Sequence, residues 1–327
     1  MQLQFRDDWN SAPRITSRPS GMSEVLLWTG RSVRNQTDER WTDTMTGKWL
    51  ARIGLGVALA TGVGVAIGLA PVSAATTQDT GRFVWRDLMT RDVGAAKRFY
   101  TELFGWRFED TKRNGRAYAL ARVGSEPVAG IVDVSAIPDA APQWISFMTV
   151  EDVDQKVALV TASGGQVLLA PRDVATIGRA AVVADPQGAP IGLATLRREV
   201  ADPLSPAPSA FFWQEYLARD AARALDFYKQ LAGYESSITD TQLGLEYHIL
   251  KKERSRAGLF QLPATVTDVL PNWLPYVLVA DPAALAARVP GLGGRILVPA
   301  SPDRRNGSLA VVADPGGAPV ALQKFPF

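Results

Sequence analysis

From about residue 82 onward this chain is written twice, and the repetition limits what it can fold into more than any other feature. Trp85 and Trp213 stand in the similar strings FVWRDLMTRD and FFWQEYLARD, each followed by a Phe-Tyr pair, Phe99-Tyr100 and Phe227-Tyr228, at an offset of 128. Further on, Ala181 to Leu193 reads AVVADPQGAPIGL and Ala310 to Leu322 reads AVVADPGGAPVAL, identical at ten of thirteen places with an offset of 129. Between these anchors Gly105-Trp106 matches Gly233-Tyr234, Trp144 matches Trp273, Asp152 matches Asp281, and Gly164-Gly165 matches Gly293-Gly294. The copies run over 82–199 and 210–327, so two like domains are expected. A Pro-rich linker over 200–209, with DPLSPAPS from Asp202, joins them; its prolines keep it out of a sheet.

Composition removes several function classes. Lys plus Arg is 35 against 33 for Asp plus Glu, and a net charge of +2 supplies no basic field for nucleic acid. Cysteine is absent, which excludes disulfides, thiolate nucleophiles, iron–sulfur clusters and cysteine-ligated zinc. The one histidine, His248, cannot by itself supply a site that needs two imidazoles.

Ahead of the repeats, Ile53 to Ala70 is a run of eighteen uncharged residues, preceded by Lys48 and Arg52 and followed by Pro71, Val72, Ser73, Ala74 and Ala75. A basic flank, an apolar stretch and a small-x-small ending are the parts of a secretory signal over 45–75, with cleavage after Ala74. The competing reading is an uncleaved membrane anchor through 53–70. Residues 1–44 show neither helical nor strand periodicity, and Met45 stands where such a signal would naturally begin. They read as an extension ahead of a mis-called start, or as a disordered tail preceding the anchor. The location expected is periplasmic or extracellular, or membrane-anchored if the run is retained.

Each copy contains a weaker repeat. In the first, a strand at Phe83 to Met89 leads to a helix at Val93 to Phe104 and to strands near Trp106 to Asp110, Ala117 to Arg122 and Val128 to Val134. The order recurs as a strand at Trp144 to Val150, a helix at Val153 to Ser163, and strands at Gln166 to Leu169, Arg179 to Ala184 and Pro190 to Leu196. The class is therefore α+β, with four βαβββ modules, two per domain. The first strand ending in Thr-Arg-Asp or Ala-Arg-Asp, the helix AKRFYTELFGW, the entry V-x-D-V-D and the hairpin ADPxGAP together resemble the vicinal oxygen chelate superfamily, the glyoxalase, bleomycin-resistance and dioxygenase group. The resemblance covers 82–327 and is nearest to its tandem glyoxalase-like subgroup. It implies that paired modules curl into incomplete barrels whose concave face holds the ligand.

The resemblance also implies where metal ligands would stand. The first-strand ligand falls on Trp85 and Trp213, the ligand opening the second module near Trp144 and Trp273, and the glutamate after the DPxG turn on Gly192 and Ala321. The remaining glutamate falls near Gly130 or Ile131 and near Gly258 or Leu259. Divalent coordination needs several oxygen or nitrogen side chains. No metal or other cofactor is therefore expected, unless a rearranged site is built from other acids.

Residues two apart in a strand share a face, so Trp85 and Asp87 point the same way, as do Trp213 and Glu215. A carboxylate beside an indole in a half-dry cleft is a candidate general base or a ligand for a cation; equally, it can be satisfied by backbone N–H groups or an arginine. Trp144 and Trp273, if near the first-strand pair, would complete an aromatic clamp for a flat ligand, or else fill a disused site. Tyr118 and Tyr247 lie on matching strands as candidate hydroxyl donors. His248, opposite in pleat to Tyr247, is an acid/base partner for Glu215 only if it faces the cleft, and otherwise a structural residue. Lys251, Lys252, Arg254 and Arg256 read as a solvated hairpin tip or as a guard of the second cleft.

These residues point to an exported protein that holds a small organic molecule in its barrel clefts without a metal. The rival is an enzyme of lyase, isomerase or dioxygenase type using Asp87 and Glu215 as bases or rearranged ligands. Filled clefts serving only interaction are a third reading. The expected assembly is a monomer acting as an internal pseudo-dimer, or a homodimer.

Overall fold

The computed structural model describes residues 79–113, 115–138, 140–174, 177–198, 207–240 and 246–324. The readings of 1–44 and 45–75, and most of the 200–209 linker, lie outside the described residues.

The first domain contains β1 (Phe83–Thr90), α1 (Val93–Phe104), β2 (Arg107–Arg113), β3 (Arg116–Val123), β4 (Glu126–Asp133), β5 (Gln143–Thr149), α2 (Val153–Ala162), β6 (Gln166–Val174), β7 (Gly178–Ala184) and β8 (Pro190–Leu196). The second repeats the order with β9 (Phe211–Ala218), α3 (Ala221–Ala232), β10 (Glu235–Asp240), β11 (Glu246–Lys252), β12 (Arg254–Gln261), β13 (Asn272–Leu278), α4 (Pro282–Arg288), β14 (Arg295–Val298), β15 (Leu309–Ala313) and β16 (Pro319–Gln323). Each domain is one eight-stranded sheet, in the orders β2-β3-β4-β1-β5-β8-β7-β6 and β10-β11-β12-β9-β13-β16-β15-β14. The fold is α+β with two tandem modules per domain.

All four helices start on the same device. Asp92, Asp152, Asp220 and Asp281 are extended residues whose carboxylates accept from the backbone N–H three residues on, at 2.8, 3.0, 2.9 and 2.9 Å. Gly105 and Gly233 close α1 and α3 in the left-handed conformation, at φ 73° and 74°, where a Cβ would be strained.

The helix-bearing faces of the two sheets meet. One core joins Leu88, Phe99, Tyr100, Ile131 and Trp144 of the first domain to Val277, Val289, Val312 and Leu322 of the second. The other joins Met148, Val160, Val183 and Leu193 to Tyr216, Phe227, Tyr228 and Trp273. Each domain's first module is thus completed by the other domain's second module. At the centre of this contact Gln214 donates to Ser146 at 2.5 Å and accepts from the buried Arg86 at 3.3 Å. Burial lowers the pKa of Arg86 to about 10, and its guanidinium lies 5.3 Å from the centre of the Phe211 ring.

The most repetitive motifs build this interdomain core. Trp144 donates to the Tyr100 hydroxyl at 3.2 Å, and Tyr100 donates to Asp314 of the opposite domain at 3.2 Å. In mirror fashion, Trp273 donates to Tyr228 at 2.8 Å and Tyr228 donates to Asp185 at 2.8 Å. The ADPxGAP aspartates also hold their own turns: Asp185 accepts from the Ala189 N–H, and Asp314 from that of Ala318, both at 2.9 Å.

Candidate functional site

The pleat decides which side chains reach the outer, concave faces. In β1 and β5, Trp85 pairs with Phe147 and Asp87 with Ile145, whereas Leu88 pairs with Trp144. Because Leu88 belongs to the interdomain core, Trp144 lies on that side and Trp85 and Asp87 on the other. The same holds for Trp273, paired with Tyr216, against Trp213 and Glu215. The expected clamp of four indoles is therefore corrected: two half-buried indoles line the clefts, and Trp144 and Trp273 are core residues tied to tyrosines.

In the first cleft, Trp85 Nε1 donates to Asp87 Oδ1 at 2.8 Å and approaches the Tyr118 hydroxyl at 3.1 Å. Tyr118 donates to the same oxygen at 2.6 Å, and Arg113 holds Oδ2 at 2.5 Å. The Arg113 guanidinium also lies 4.3 Å from the centre of the Tyr118 ring. Tyr118 keeps its proton because burial, then the Asp87 charge, push its pKa upward. Gly130, opposite Asp87, makes this possible: a Cβ there would lie 1.6 Å from the Tyr118 hydroxyl oxygen.

The second cleft repeats the plan with a different cation. Trp213 donates to the Tyr247 hydroxyl at 3.2 Å, Tyr276 donates to Glu215, and Arg305 holds Glu215 Oε1 at 2.8 Å. Burial, then the Glu215 charge, raise the pKa of both Tyr247 and Tyr276. A Cβ on Gly258 would lie 1.8 Å from the Tyr247 hydroxyl oxygen. Arg305 comes from the β14–β15 connection, and it bonds Gln323 at 3.1 Å as well. That connection therefore crosses the second cleft.

The first cleft has an apolar second wall instead. Phe147, Val174, Ile177, Ala180, Ala194 and Leu196 form a small cluster of their own on β5 to β8 and the β6–β7 turn.

His248 pairs with Leu259, which belongs to the interdomain core, so the pleat turns the imidazole away from Glu215. Its Nε2 lies 3.9 Å from Glu246, and the acid/base couple with Glu215 is not assembled. The basic run is likewise not a free tip. Arg256 pairs with Asp79 at 2.7 Å, and Lys252 bonds Thr80 and caps α3 at the Ala232 carbonyl, 3.2 Å away.

Aligning the modules on their N-cap aspartates places the family's metal positions. Trp85 and Trp213 stand seven residues before Asp92 and Asp220; seven before Asp152 and Asp281 stand Ile145 and Leu274, one residue beyond Trp144 and Trp273. The β4 and β12 positions that pair with Asp87 and Glu215 are Gly130 and Gly258. With Gly192 and Ala321, none of the eight offers an oxygen or nitrogen side chain to a divalent ion, and Tyr118 and Tyr247 fill the space beside two of them. Among the described residues no group of three or more His, Cys, Asp or Glu converges. These residues do not fit the family's metal centre.

Arg113, Arg305, Tyr276 and Phe147 were not evident from the sequence. Tyr276 and Phe147 stand five residues before Asp281 and Asp152, as Glu215 and Asp87 do before Asp220 and Asp92, so the same alignment would have found them. The two arginines carry no such signal.

The profile of the Glyoxalase/Bleomycin resistance protein/Dioxygenase superfamily matches residues 82–193. The CFP32 protein of Mycobacterium bovis, provisionally named a glyoxylase, is 33% identical over 247 residues, which are 73% of this chain and 93% of that one. The anthracycline biosynthesis protein DauV of a Streptomyces species is 30% identical over 257 residues, 73% of this chain and 91% of its own. Among solved structures, the Mn(II)-bound glyoxalase of Novosphingobium aromaticivorans aligns with a TM-score of 0.51 at 15% identity, over 75% of this chain and 82% of that one. An extradiol ring-cleaving dioxygenase of B. fuscum aligns with a TM-score of 0.52 at 16% identity, over 77% and 74%. At these identities the structural likeness speaks for the fold.

Proposed function

Since the chain belongs to the glyoxalase, bleomycin resistance protein and dioxygenase superfamily, we propose that it binds a small organic molecule, without a metal ion, in the cleft of its first domain. The observation that carries this reading is the asymmetry of the two clefts. In the first, a half-buried indole at Trp85 faces an apolar wall built on Phe147, Val174, Ile177 and Leu196. In the second, Arg305 and its connection take up the corresponding space beside Trp213 and Glu215. An apolar wall with a few convergent polar groups is what a small-molecule site requires. The relative named for anthracycline biosynthesis is consistent with an organic ligand.

A binding role is favoured over a catalytic base because both oxygens of Asp87 are already held, by Trp85 and Tyr118 on one side and Arg113 on the other. Glu215 is held in the same way by Tyr276 and Arg305. Export through 45–75 is the accompanying proposal, supported by the apolar run and its small-residue ending.

The test is a titration of the full chain with a small-molecule library, read by tryptophan emission in the presence of a chelator. Saturable quenching that disappears in Trp85→Phe is expected. Binding that requires an added divalent ion, or that persists unchanged in Trp85→Phe, would overturn the reading. Terminal sequencing of the protein recovered from bacterial fractions tests export, with Ala75 expected as the mature terminus; an intact 45–75 segment in the cytosol would refute it.

A further inference from the structure

We propose that the ligand of the first cleft is an anion, a small planar organic acid whose flat body lies against Trp85 and whose charge is met by Arg116 and Arg172. This deepens the reading of that cleft as a small-molecule site and rests on it.

Strand register puts three arginines on one concave face. Arg113 and Arg116 pair across the β2–β3 hairpin, and Arg116 shares its face with Tyr118 two residues on. Arg172 on β6 pairs with Ala180, a member of the apolar wall. β2 and β6 are the opposite edges of the sheet, and register places Arg172 on the same face as the hairpin arginines. The three charges sense one another: loss of hydration, then the charges of Arg116 and Arg113, lower the pKa of Arg172.

The acids of this face do not balance the set. Asp87 is matched by Arg113, and Glu109 by Arg122 at 3.2 Å. Among the described residues Arg116 and Arg172 have no ion-pair partner, and both are exposed at the mouth of the cleft. Two like charges held close together without a counterion repel, and an anion between them relieves that repulsion while gaining charge-assisted hydrogen bonds. The indole and the Phe147 wall then select a flat, apolar body over a simple inorganic ion. In the second cleft Arg305 is instead engaged by Glu215 and Gln323.

The experiment uses the full chain with benzoate, 2-naphthoate and 2-anthroate, each beside its primary amide. Affinity is read by tryptophan quenching in the parent, in Trp85→Phe, and in the double variant Arg116→Gln with Arg172→Gln. Both arginines are exposed, so the double variant should melt with the parent. At least one acid is expected to bind about tenfold more tightly than its amide, an advantage the double variant loses while amide affinity stays unchanged. Added salt should weaken the acid alone. If the amides bind as tightly as the acids, or the double variant holds the acids unchanged, the anion proposal fails and the organic-ligand reading stands. If neither acids nor amides alter Trp85 emission, both fail together.

Discussion

Gly130→Ala is the smallest change that should dismantle the first cleft. The added Cβ would lie 1.6 Å from the Tyr118 hydroxyl oxygen, 2.1 Å from its Cζ and 2.5 Å from Asp87 Oδ1, far inside contact distance. Tyr118 is only 8% exposed and cannot simply step aside. Forcing one carbon into such a site costs about 1–3 kcal/mol. Expelling the phenol also breaks its bond to a charged acceptor, about 1.5–3 kcal/mol more. The sum, about 2.5–6 kcal/mol, is a large part of the ~5–15 kcal/mol that holds a typical domain folded. Gly258→Ala should act alike in the second cleft, where the Cβ would lie 1.8 Å from the Tyr247 hydroxyl. Urea unfolding followed by tryptophan emission measures both. In the double variant Gly130→Ala with Tyr118→Ala the clash has no partner, so its cost should fall well below the sum of the singles. A Gly130→Ala protein within about 0.5 kcal/mol of the parent, on the scale of an ordinary surface substitution, would refute the assignment of Tyr118 to the space in front of Gly130.

Trp144→Phe should lower stability by about 1–2 kcal/mol through the lost bond to Tyr100, yet leave ligand quenching intact; a change in ligand affinity would contradict its place in the interdomain core. Burial raises the pKa of Asp314 in the fold, so the folded chain takes up its proton more readily than the unfolded one. Its stabilising contribution is therefore complete below the ordinary value of 3.8 and is lost as pH rises through the raised folded value. Asp314→Asn should flatten the fall in stability above about pH 4, and urea midpoints at successive pH values that track the parent would exclude this. Arg305→Gln should destabilise by about 2–4 kcal/mol by leaving Glu215 buried without its cation, and Arg305→Gln with Glu215→Gln should recover part of that loss. The interdomain cores are completed within one chain, so light scattering should give the mass of a single chain; a concentration-dependent dimer would contradict that.

The architecture was legible because local and repeated signals agree. Four aspartates cap four helices and two glycines end the longer pair, and the bounds of α1 and α2 follow from the sequence within a residue. β6 was legible only to Leu169, because Pro171 reads as a stop. On an edge strand a proline breaks no ladder, and the strand continues to Val174 through two register shifts. The site was less legible for two reasons. A one-residue slip in the pleat separates Trp144 from the cleft-facing Ile145, and apolar residues on both faces of a buried strand hide that slip. The partners of the repeated tyrosines lie in the other domain, Tyr100 on Asp314 and Tyr228 on Asp185, at separations no local pattern can announce. Recurrence marked these motifs as important, and their importance proves to be the joint between domains.

The two clefts answer one physical problem in two ways. A carboxylate buried beside an indole needs a cation, since leaving it unpaired is costly. The first copy supplies Arg113 from the edge strand of the same module. The matching stretch of the second copy, Asp240-Thr241-Gln242, holds neither Arg nor Lys, and Glu215 takes its cation from the other module at Arg305. To deliver Arg305, the chain leaves the sheet after Val298 and turns through left-handed backbone at Arg305 and Asn306, φ 46° and 52°, a conformation that costs a non-glycine residue about 1–3 kcal/mol. In the first copy Thr176 stands at the corresponding place in the sequence, so no arginine is offered there. β6 keeps its full length, and Arg172 remains at the rim, unmatched by any acid among the described residues. The origin of the counterion thus sets the two clefts apart: Arg305 and its connection occupy the second, whereas Arg113 reaches Asp87 from within its own module in the first.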